Sequence, residues 1–137
     1  MDYYYKKFSK LQEKFHDAMH DYPLFSEIIQ DIEDKDIKEI NELLARNDEY
    51  YLKKAIDKLE RLIVYIKNTS ESIQNEYDTF DKLAREWKKI KLADVSEKKL
   101  SDINDKIKKA SLLINKHSLE DIKRANGIMM ELIKDNK

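Results

Sequence analysis

The chain has 137 residues, with 27 Lys and Arg against 28 Asp and Glu, a net charge of −1 and a charged fraction of 40%. It contains no Cys, one Gly and one Pro. The absence of Cys excludes disulfide frameworks and thiolate metal sites, and a single Gly excludes a Gly-rich phosphate loop. Gly and Pro are also too few for the turns of a sandwich, a barrel or a doubly wound sheet, so the composition predicts an all-α protein. No apolar run approaches the roughly 18 residues of a membrane span, and no short apolar core follows the N-terminal charges as in a secretory signal. The balanced charge argues against a chain that is basic as a whole and made to bind nucleic acid.

The first two predicted helices lie on either side of Pro23. Apolar residues over 4–22 are spaced alternately four and three apart, which places them on one helical stripe. Proline disfavours a helical residue before it and supplies no N–H, so Pro23 ends this helix. A second helix is predicted over residues 25–46, with Ser26 as its N-cap. The phase of its apolar residues slips around residues 33–36, where a kink or a break is expected.

The third predicted helix is the longest. Asp48 is well placed to cap it, and apolar residues then alternate four and three apart as far as Trp87, with only Ser70 polar. One continuous helix over residues 49–91 would span roughly 65 Å. A break at the capping residues 68–70 is the alternative; continuity is favoured because a turn usually resets the phase. Such a stripe could equally form the seam of a homodimer, in which a polar residue fixes the register.

Two further helices complete the chain. Ser96 is the predicted N-cap of the first, and Ser118 opens the second, with Asp121 three residues later as an approximate capping box. An internal repeat relates this half of the chain to the first. Residues 25–63 align with residues 95–133 without a gap, and nine of the 39 aligned positions are identical. The predicted helix starts fall in register as well. We therefore predict two copies of a three-helix unit, 1–68 and 69–137, joined by the long helix into an elongated or bent bundle of five to six helices.

The single glycine lies inside the last predicted helix. At such a position glycine costs about 1 kcal/mol relative to alanine. A close approach of another helix to Gly127 or an exposed position would each account for it. The repeat aligns Gly127 with Asp57, a charged residue, and so favours exposure.

Two histidines four residues apart are the only candidate metal ligands. His16 and His20 lie on one helix face, where two imidazoles can share a divalent metal. Asp17 stands where a zinc-protease helix has Glu, and no third ligand is evident because His117 is distant in sequence. We interpret the pair as half-exposed polar residues beside the apolar stripe. With no catalytic arrangement above the background of abundant charge, we predict no metal, no cofactor and no enzymatic activity.

The candidate partner-binding residues are tyrosines and one methionine. Tyrosine suits interfaces, since its ring is buried while its hydroxyl stays wet, and methionine suits adaptable binding surfaces. The competing interpretation packs these side chains along the surfaces of their own helices. The sequence does not disclose a biochemical activity, and the predicted function is a cytoplasmic protein–protein interaction module whose partner it does not identify. The candidate partner-binding residues are Tyr3, Tyr5, Tyr50, Tyr51 and Met130.

The alternative function rests on a locally basic segment. Residues 85–91 contain Trp87, the single tryptophan, among one arginine and three lysines. Basic helical turns with an aromatic residue can contact phosphates, which would make the chain a nucleic-acid-associated or phage-type small regulatory protein. Acidic neighbours and the place of Trp87 on the apolar stripe favour a solvated helix face with the tryptophan in the core. We therefore do not expect a nucleic acid as the partner. A membrane is not expected either, because no apolar run is long enough to span one.

Two helical hairpins resemble a known pattern. Residues 40–62 read INELLARNDEYYLKKAIDKLERL and residues 110–133 read ASLLINKHSLEDIKRANGIMMELI. A helix that ends in a short polar turn, followed by an acid-rich start and a Leu/Ile-Lys-Lys/Arg-Ala run, resembles the C-terminal helical (lid-type) region of Hsp70-like chaperones. The resemblance covers about a third of the chain. It implies a lid or accessory bundle, either as an excised piece or as a stand-alone relative; no nucleotide-binding residue is carried over, because the ATPase and client-binding domains are absent from these residues.

Overall fold

The computed structural model describes residues 2–137. It is 85% helical, and the described residues contain no strand, which confirms the predicted all-α bundle. A π-helical turn joins α2 to α3 without interruption, so the described chain has five helical segments. The elements are α1 (Asp2–Asp21), α2 (Ser26–Asp31), the π turn (Ile32–Ile37), α3 (Lys38–Ala45), α4 (Glu49–Lys88), α5 (Glu97–Ile114) and α6 (Leu119–Asn136).

The chain divides into two compact units, Met1–Glu71 and Ser72–Lys137. The first unit holds α1, α2, the π turn, α3 and the N-terminal part of α4. The second holds the rest of α4 with α5 and α6. The repeat placed the boundary between residues 68 and 69; the repeat itself stays a prediction.

Helix α4 is continuous, as its unbroken stripe predicted. It begins where expected, because the Asp48 Oδ1 atom accepts a hydrogen bond of 2.7 Å from the backbone N–H of Tyr50 and so satisfies one of the free donors of the first turn. Ser70 is buried inside the helix, with no break at residues 68–70. The helix ends at Lys88, three residues before the predicted end, and a bond from the Ile90 N–H to the Trp87 carbonyl closes a tighter final turn.

The phase slip in the second helix produces a π turn rather than a break. Ile32 and Ile37 are five residues apart, a spacing that an α-helix would place on different faces. In the π turn between them both isoleucines pack into the core of the first unit, Ile32 fully and Ile37 partly. A π turn accommodates one extra residue within a helix. The expected kink or break therefore does not interrupt the helix.

Of the three serines that were predicted to cap helices, one accepts a capping hydrogen bond with its side chain. The Ser96 Oγ atom accepts a bond of 3.2 Å from the N–H of Lys99, as a capping side chain should. The prediction for Ser26 is wrong, since Phe25 occupies the N-cap position and Ser26 is the first helical residue. Ser118 stands at the N-cap of α6 without a side-chain cap bond. The predicted capping box is absent there, and Asp121 pairs with Arg124 at 3.5 Å.

Each unit has its own apolar core. In the first unit, Ile32, Leu59 and Ile66 are at most 2% exposed, and they anchor the packing of α1 and the π turn against α4. In the second unit, Ala125 and Leu132 of α6 pack with α4 and α5. Fully burying an isoleucine or leucine contributes about 1.5–3 kcal/mol. Apolar stripes of this kind are what hold short helices in place, since isolated short helices are marginal in water.

One polar side chain lies inside the second core. Asn126 is 4% exposed. Its Nδ2 atom donates to the Glu76 carbonyl at 3.0 Å and to the Glu76 Oε2 atom at 2.7 Å, while its Oδ1 atom has no hydrogen-bond partner among the described residues. The bond ties α6 to α4. Gly127, the next residue, is exposed, and a Cβ atom built on it meets nothing within 4 Å, which confirms the interpretation of an open site.

Candidate protein-interaction surface

Five tyrosines gather at one end of the first unit. Tyr3, Tyr4 and Tyr5 lie in the first turns of α1, and Tyr50 and Tyr51 begin α4. We call these five residues the tyrosine patch. Helix α2, the π turn and α3 separate the two groups along the chain, and the contacts of Tyr5 with Asn47 and of Tyr4 with Lys53 bring the start of α1 beside the start of α4.

A side-chain hydrogen bond supports the meeting of α1 with the start of α4. The Tyr5 hydroxyl donates to the Oδ1 atom of Asn47 at 2.9 Å. Asn47 lies in the turn between α3 and α4 with a φ of 50°, in the left-handed region that asparagine tolerates better than most residues. The turn therefore does two things: it reverses the chain and it presents an acceptor to α1.

Cations also lie over the rings of the patch. The Arg46 Cζ atom lies 4.6 Å from the ring centroid of Tyr51, and the Lys53 Nζ atom lies 5.0 Å from that of Tyr4. These two contacts each contribute about 0.5–1 kcal/mol, the usual range at exposed sites. The Lys53 contact also links α4 to α1, so this cation and the hydrogen bond of Tyr5 together hold the start of α1 beside the start of α4.

Lys54 is a third cation over a patch ring. Its Nζ atom lies 4.6 Å from the ring centroid of Tyr50. A hydrogen bond with Tyr50, followed by the charge that this tyrosine carries when ionised, raises the pKa of Lys54 above its ordinary value of 10.5. The ammonium group therefore stays protonated throughout the physiological range. The patch presents a permanent positive charge beside its aromatic rings.

The rings differ in how much they expose. Tyr3 is 68% exposed, Tyr50 58% and Tyr5 39%, whereas Tyr4 and Tyr51 are half-buried. The buried rings support the exposed ones, because Tyr3 meets Tyr4 edge-on at 5.2 Å and Tyr50 meets Tyr51 edge-on at 5.1 Å. The exposed rings of Tyr3 and Tyr50 thus each have a half-buried ring against one edge.

Sequence reasoning found four of the five patch tyrosines as partner-binding candidates. The fifth, Tyr4, was assigned to the core stripe, and the structure packs it against the first core. The three stacked cations were not singled out. Their signal in the sequence was their position close to the tyrosines, but Lys and Arg are too frequent here for that to select them. Met130, the remaining candidate, is 55% exposed on α6, in the other unit.

The two candidate metal ligands lie on the exposed side of α1. His16 and His20 are both at least partly exposed on α1, and the Nδ1 atom of His20 lies 3.1 Å from the Oδ1 atom of its neighbour Asp21. Nowhere in residues 2–137 do three or more His, Cys, Asp or Glu side chains come together in a way that could hold a metal ion. The ring of His16 instead packs edge-on against Phe15, with centroids 5.7 Å apart.

Trp87 and its basic neighbours separate in the structure. Trp87 is half-buried and packs against the second core, as its place on the stripe predicted. Lys88, Lys89 and Lys91 remain exposed around the end of α4. The tryptophan face therefore packs into the fold, and the arginine and the three lysines of this segment are exposed to solvent.

A groove between α3 and α4 carries opposite charges that neutralise one another. The Lys58 Nζ atom lies 2.8 Å from Glu39 Oε2 and 3.5 Å from Asp36 Oδ1. Bonding to Glu39 is the main cause that raises the pKa of Lys58. Arg61 pairs with Asp57 at 2.6 Å in the same groove. In this groove of about 590 Å³ the carboxylates of Asp36, Glu39 and Asp57 are all paired, and Lys54 is the one cation that no carboxylate neutralises within the described residues.

The fold class is an all-α helical bundle in two units, with exposed tyrosines on the first unit. Comparisons of the chain with protein-family models, curated proteins and solved structures found no match. Of the helices in the described part of the chain, none combines the length and apolar character that crossing a membrane requires.

Proposed function

We propose that this chain is a non-enzymatic protein–protein interaction module that binds its partner through the tyrosine patch. One observation carries the proposal: three tyrosines that expose 39–68% of their surface are held in place by half-buried rings, a hydrogen bond and stacked cations. Surface tyrosines of an ordinary helix need none of these supports. Preorganised aromatic rings lose little conformational freedom on binding, which is why such residues dominate interface energies.

The chemistry of the patch indicates what kind of surface it would meet. Tyr3 and Tyr50 can bury their rings against apolar side chains and keep their hydroxyls for polar neighbours. Lys53 and Lys54, both exposed, add positive charge at the rim. A partner with an apolar centre and carboxylates around it would match both features.

Three finer proposals accompany this one. The resemblance of residues 40–62 and 110–133 supports a relative of the C-terminal helical region of Hsp70-like chaperones, and a cytoplasmic location goes with it. The internal repeat is supported by the turns before α4 and α6, where Asn47 and His117, which the alignment pairs, both have positive φ. An immunoblot of source cells would test the chaperone proposal, since a band several times heavier than 16.5 kDa favours a region of a larger protein and a band at 16.5 kDa favours a free-standing adaptor.

Site-specific crosslinking tests the interaction proposal. A photoreactive phenylalanine analogue replaces Tyr3 or Tyr50 in the patch, and Tyr65 serves as the matched control because it is 49% exposed on α4 outside the patch. We expect the same partner to be crosslinked from the two patch positions in source lysate and not from position 65. Mass spectrometry of the adduct identifies the partner and the peptide that meets the patch.

Alanine variants give the quantitative arm of the test. Tyr3→Ala and Tyr50→Ala together should weaken binding of the identified partner by about 30-fold or more, the effect of losing interface hot spots of about 2 kcal/mol. Tyr65→Ala should bind normally. The unfolding free energy of Tyr65→Ala should stay within about 0.5 kcal/mol of the wild type, because that side chain is exposed. The double variant also loses the ring contacts of Tyr3 and Tyr50, so its unfolding free energy should fall by about 1–3 kcal/mol, and its binding is compared where it remains folded. Equal crosslinking from all three positions, or undiminished binding of the double variant, would refute the proposal.

A further inference from the structure

A second groove lies in the other unit, where the end of α4 meets the end of α6. Its volume is about 470 Å³. Two isoleucines, Ile90 and Ile133, form its apolar part; Ile133 is 8% exposed and Ile90 is half-buried, and both belong to the second core. Lysines 89, 91 and 137 stand around these isoleucines, with Glu86 as the one acidic residue of the groove. An apolar floor is thus surrounded by positive charge.

Within the described part of the chain, the lysines of this groove form no ion pair with an Asp or Glu side chain. Among residues 2–137, no Asp or Glu oxygen lies within salt-bridge distance of the ammonium groups of Lys89, Lys91 or Lys137. In the α3–α4 groove, by contrast, Lys58 and Arg61 are each paired with carboxylates of the same groove. Three of the lining side chains are positive and one is negative, whereas the side-chain charges of the whole chain sum to −1.

Helix stability accounts for only part of this charge. Cations near a helix C-terminus are favourable because they oppose the partial negative charge of the last carbonyl groups. That explains Lys88 in the final turn of α4. Lys89 and Lys137 directly follow the last residues of α4 and α6 and gain from the same attraction, whereas Lys91 lies further beyond the end of α4; all three stand beside the apolar floor.

We propose that this groove docks an acidic, leucine-bearing helical segment of another protein. The isoleucine floor would receive one or two apolar side chains of the segment, and the three lysines would face its carboxylates. The complementarity of charge selects an acidic partner, and the apolar floor selects a peptide over a nucleic acid, whose backbone offers no apolar side chain. This proposal is independent of the tyrosine patch, which lies in the other unit.

Fluorescence anisotropy with a defined probe tests the proposal. The probe is a fluorescein-labelled synthetic peptide of glutamates with leucines at every third or fourth position, titrated with the full chain at low salt and again at high salt. A second peptide replaces every leucine by serine and keeps the charge. A labelled single-stranded oligothymidine is the third probe, because it carries negative charge and planar bases but no branched aliphatic side chain.

Two matched double variants test whether the leucine peptide binds in this groove. Lys89→Gln with Lys91→Gln removes two unpaired charges from the groove, and Lys108→Gln with Lys109→Gln removes two exposed charges elsewhere on α5. We expect the leucine peptide to bind and its affinity to fall about tenfold in the groove variant, since two exposed ion pairs are lost, but to be unchanged in the α5 variant. Affinity should also fall at high salt.

Three outcomes would overturn the proposal. No binding of the leucine peptide at low salt removes the site. Equal losses in the groove variant and the α5 variant make the attraction a general effect of net charge. Binding of the serine peptide or of oligothymidine as tight as that of the leucine peptide shows that the isoleucine floor plays no part, and the groove would then be a phosphate- or polyanion-binding surface.

Discussion

Asn126 is the residue whose replacement most sharply tests the packing of the second unit. It is buried, and its Nδ2 atom donates to two acceptors of Glu76. Asn126→Asp keeps the size of the side chain but replaces this donor by an acceptor. At neutral pH the variant would place a carboxylate about where the amide nitrogen now lies, 2.7 Å from the Glu76 Oε2 atom.

The cost follows from the pKa of the new carboxyl group. Burial and the neighbouring negative charge of Glu76 both disfavour ionisation, so the pKa of the aspartate in the folded state should lie well above the ordinary value of about 3.9. Each pKa unit corresponds to about 1.4 kcal/mol of stability. A rise of two to three units, typical of a buried carboxyl, therefore costs about 3–4 kcal/mol at neutral pH. That is a large share of the stability of a small domain.

The pH dependence has a defined sign. Because the folded state binds the proton more tightly than the unfolded state, the variant loses stability as pH rises from about 4 to the raised pKa, and the penalty is constant above it. Lowering the pH towards 4 should therefore recover most of the loss relative to wild type. Adding Glu76→Gln should recover part of it at neutral pH, since the facing carboxylate is then gone.

Urea unfolding followed by tryptophan fluorescence is the appropriate assay. Trp87 is the single tryptophan of the chain and packs on the second core, so it reports on the unit that contains Asn126. Asn104→Asp is the matched control, because it makes the same chemical change at an exposed position on α5. If Asn126→Asp costs no more than Asn104→Asp, or if its penalty does not change with pH, the side chain is not buried against Glu76 in solution.

Two further predictions concern the backbone of the helices. Gly127→Ala should raise the unfolding free energy by about 0.8–1 kcal/mol in the same fluorescence assay, because the added Cβ meets nothing within 4 Å and only helix propensity changes. The stability of Gly127→Ser should lie between those of the wild type and Gly127→Ala. Destabilisation by both substitutions would reveal a close neighbour on this face, such as a second copy of the chain. Deleting Lys35, an exposed residue of the π turn, should convert that turn to α-helix and change stability by no more than about 1 kcal/mol, measured by circular dichroism during urea unfolding. As the control, deleting Lys106 from the regular helix α5 should lower the unfolding free energy by about 3 kcal/mol or more, because it moves buried Ile103 out of phase with the rest of the core. Equal losses for the two deletions would contradict the argument that the π turn holds one extra residue.

The π turn also changes how the proposed repeat is to be aligned. Helices α4 and α6 begin at positions that the gapless alignment pairs, Glu49 and Leu119. Helices α2 and α5 do not, because α2 begins at Ser26 whereas α5 begins at Glu97, one position after the residue aligned with Ser26. The alignment therefore pairs Ser26 with Ser96 although they occupy different cap positions. The extra residue in the π turn of the first unit accounts for the difference.

Local interactions made the helices predictable from the sequence alone. Helical periodicity, the cap at Asp48, the stop at Pro23 and the unbroken stripe of α4 depend on residues within one or two turns of each other, and the structure confirms each of them. The phase slip near Ile32 was visible too, but an extra residue can be absorbed by a kink, a break or a π turn, and the sequence does not choose among them.

Tertiary structure decided everything that depends on distant pairs. The contacts of Tyr5 with Asn47 and of Lys53 with Tyr4 each join α1 to a segment beyond α3, and no spacing rule connects them. The bond of Asn126 to Glu76 likewise joins two separate helices, and the groove at Ile90 and Ile133 exists only because two helix ends meet. A sequence pattern specifies which face of a helix is apolar; which polar and aromatic residues meet at its edges depends on how that face packs, and packing is a property of the whole unit.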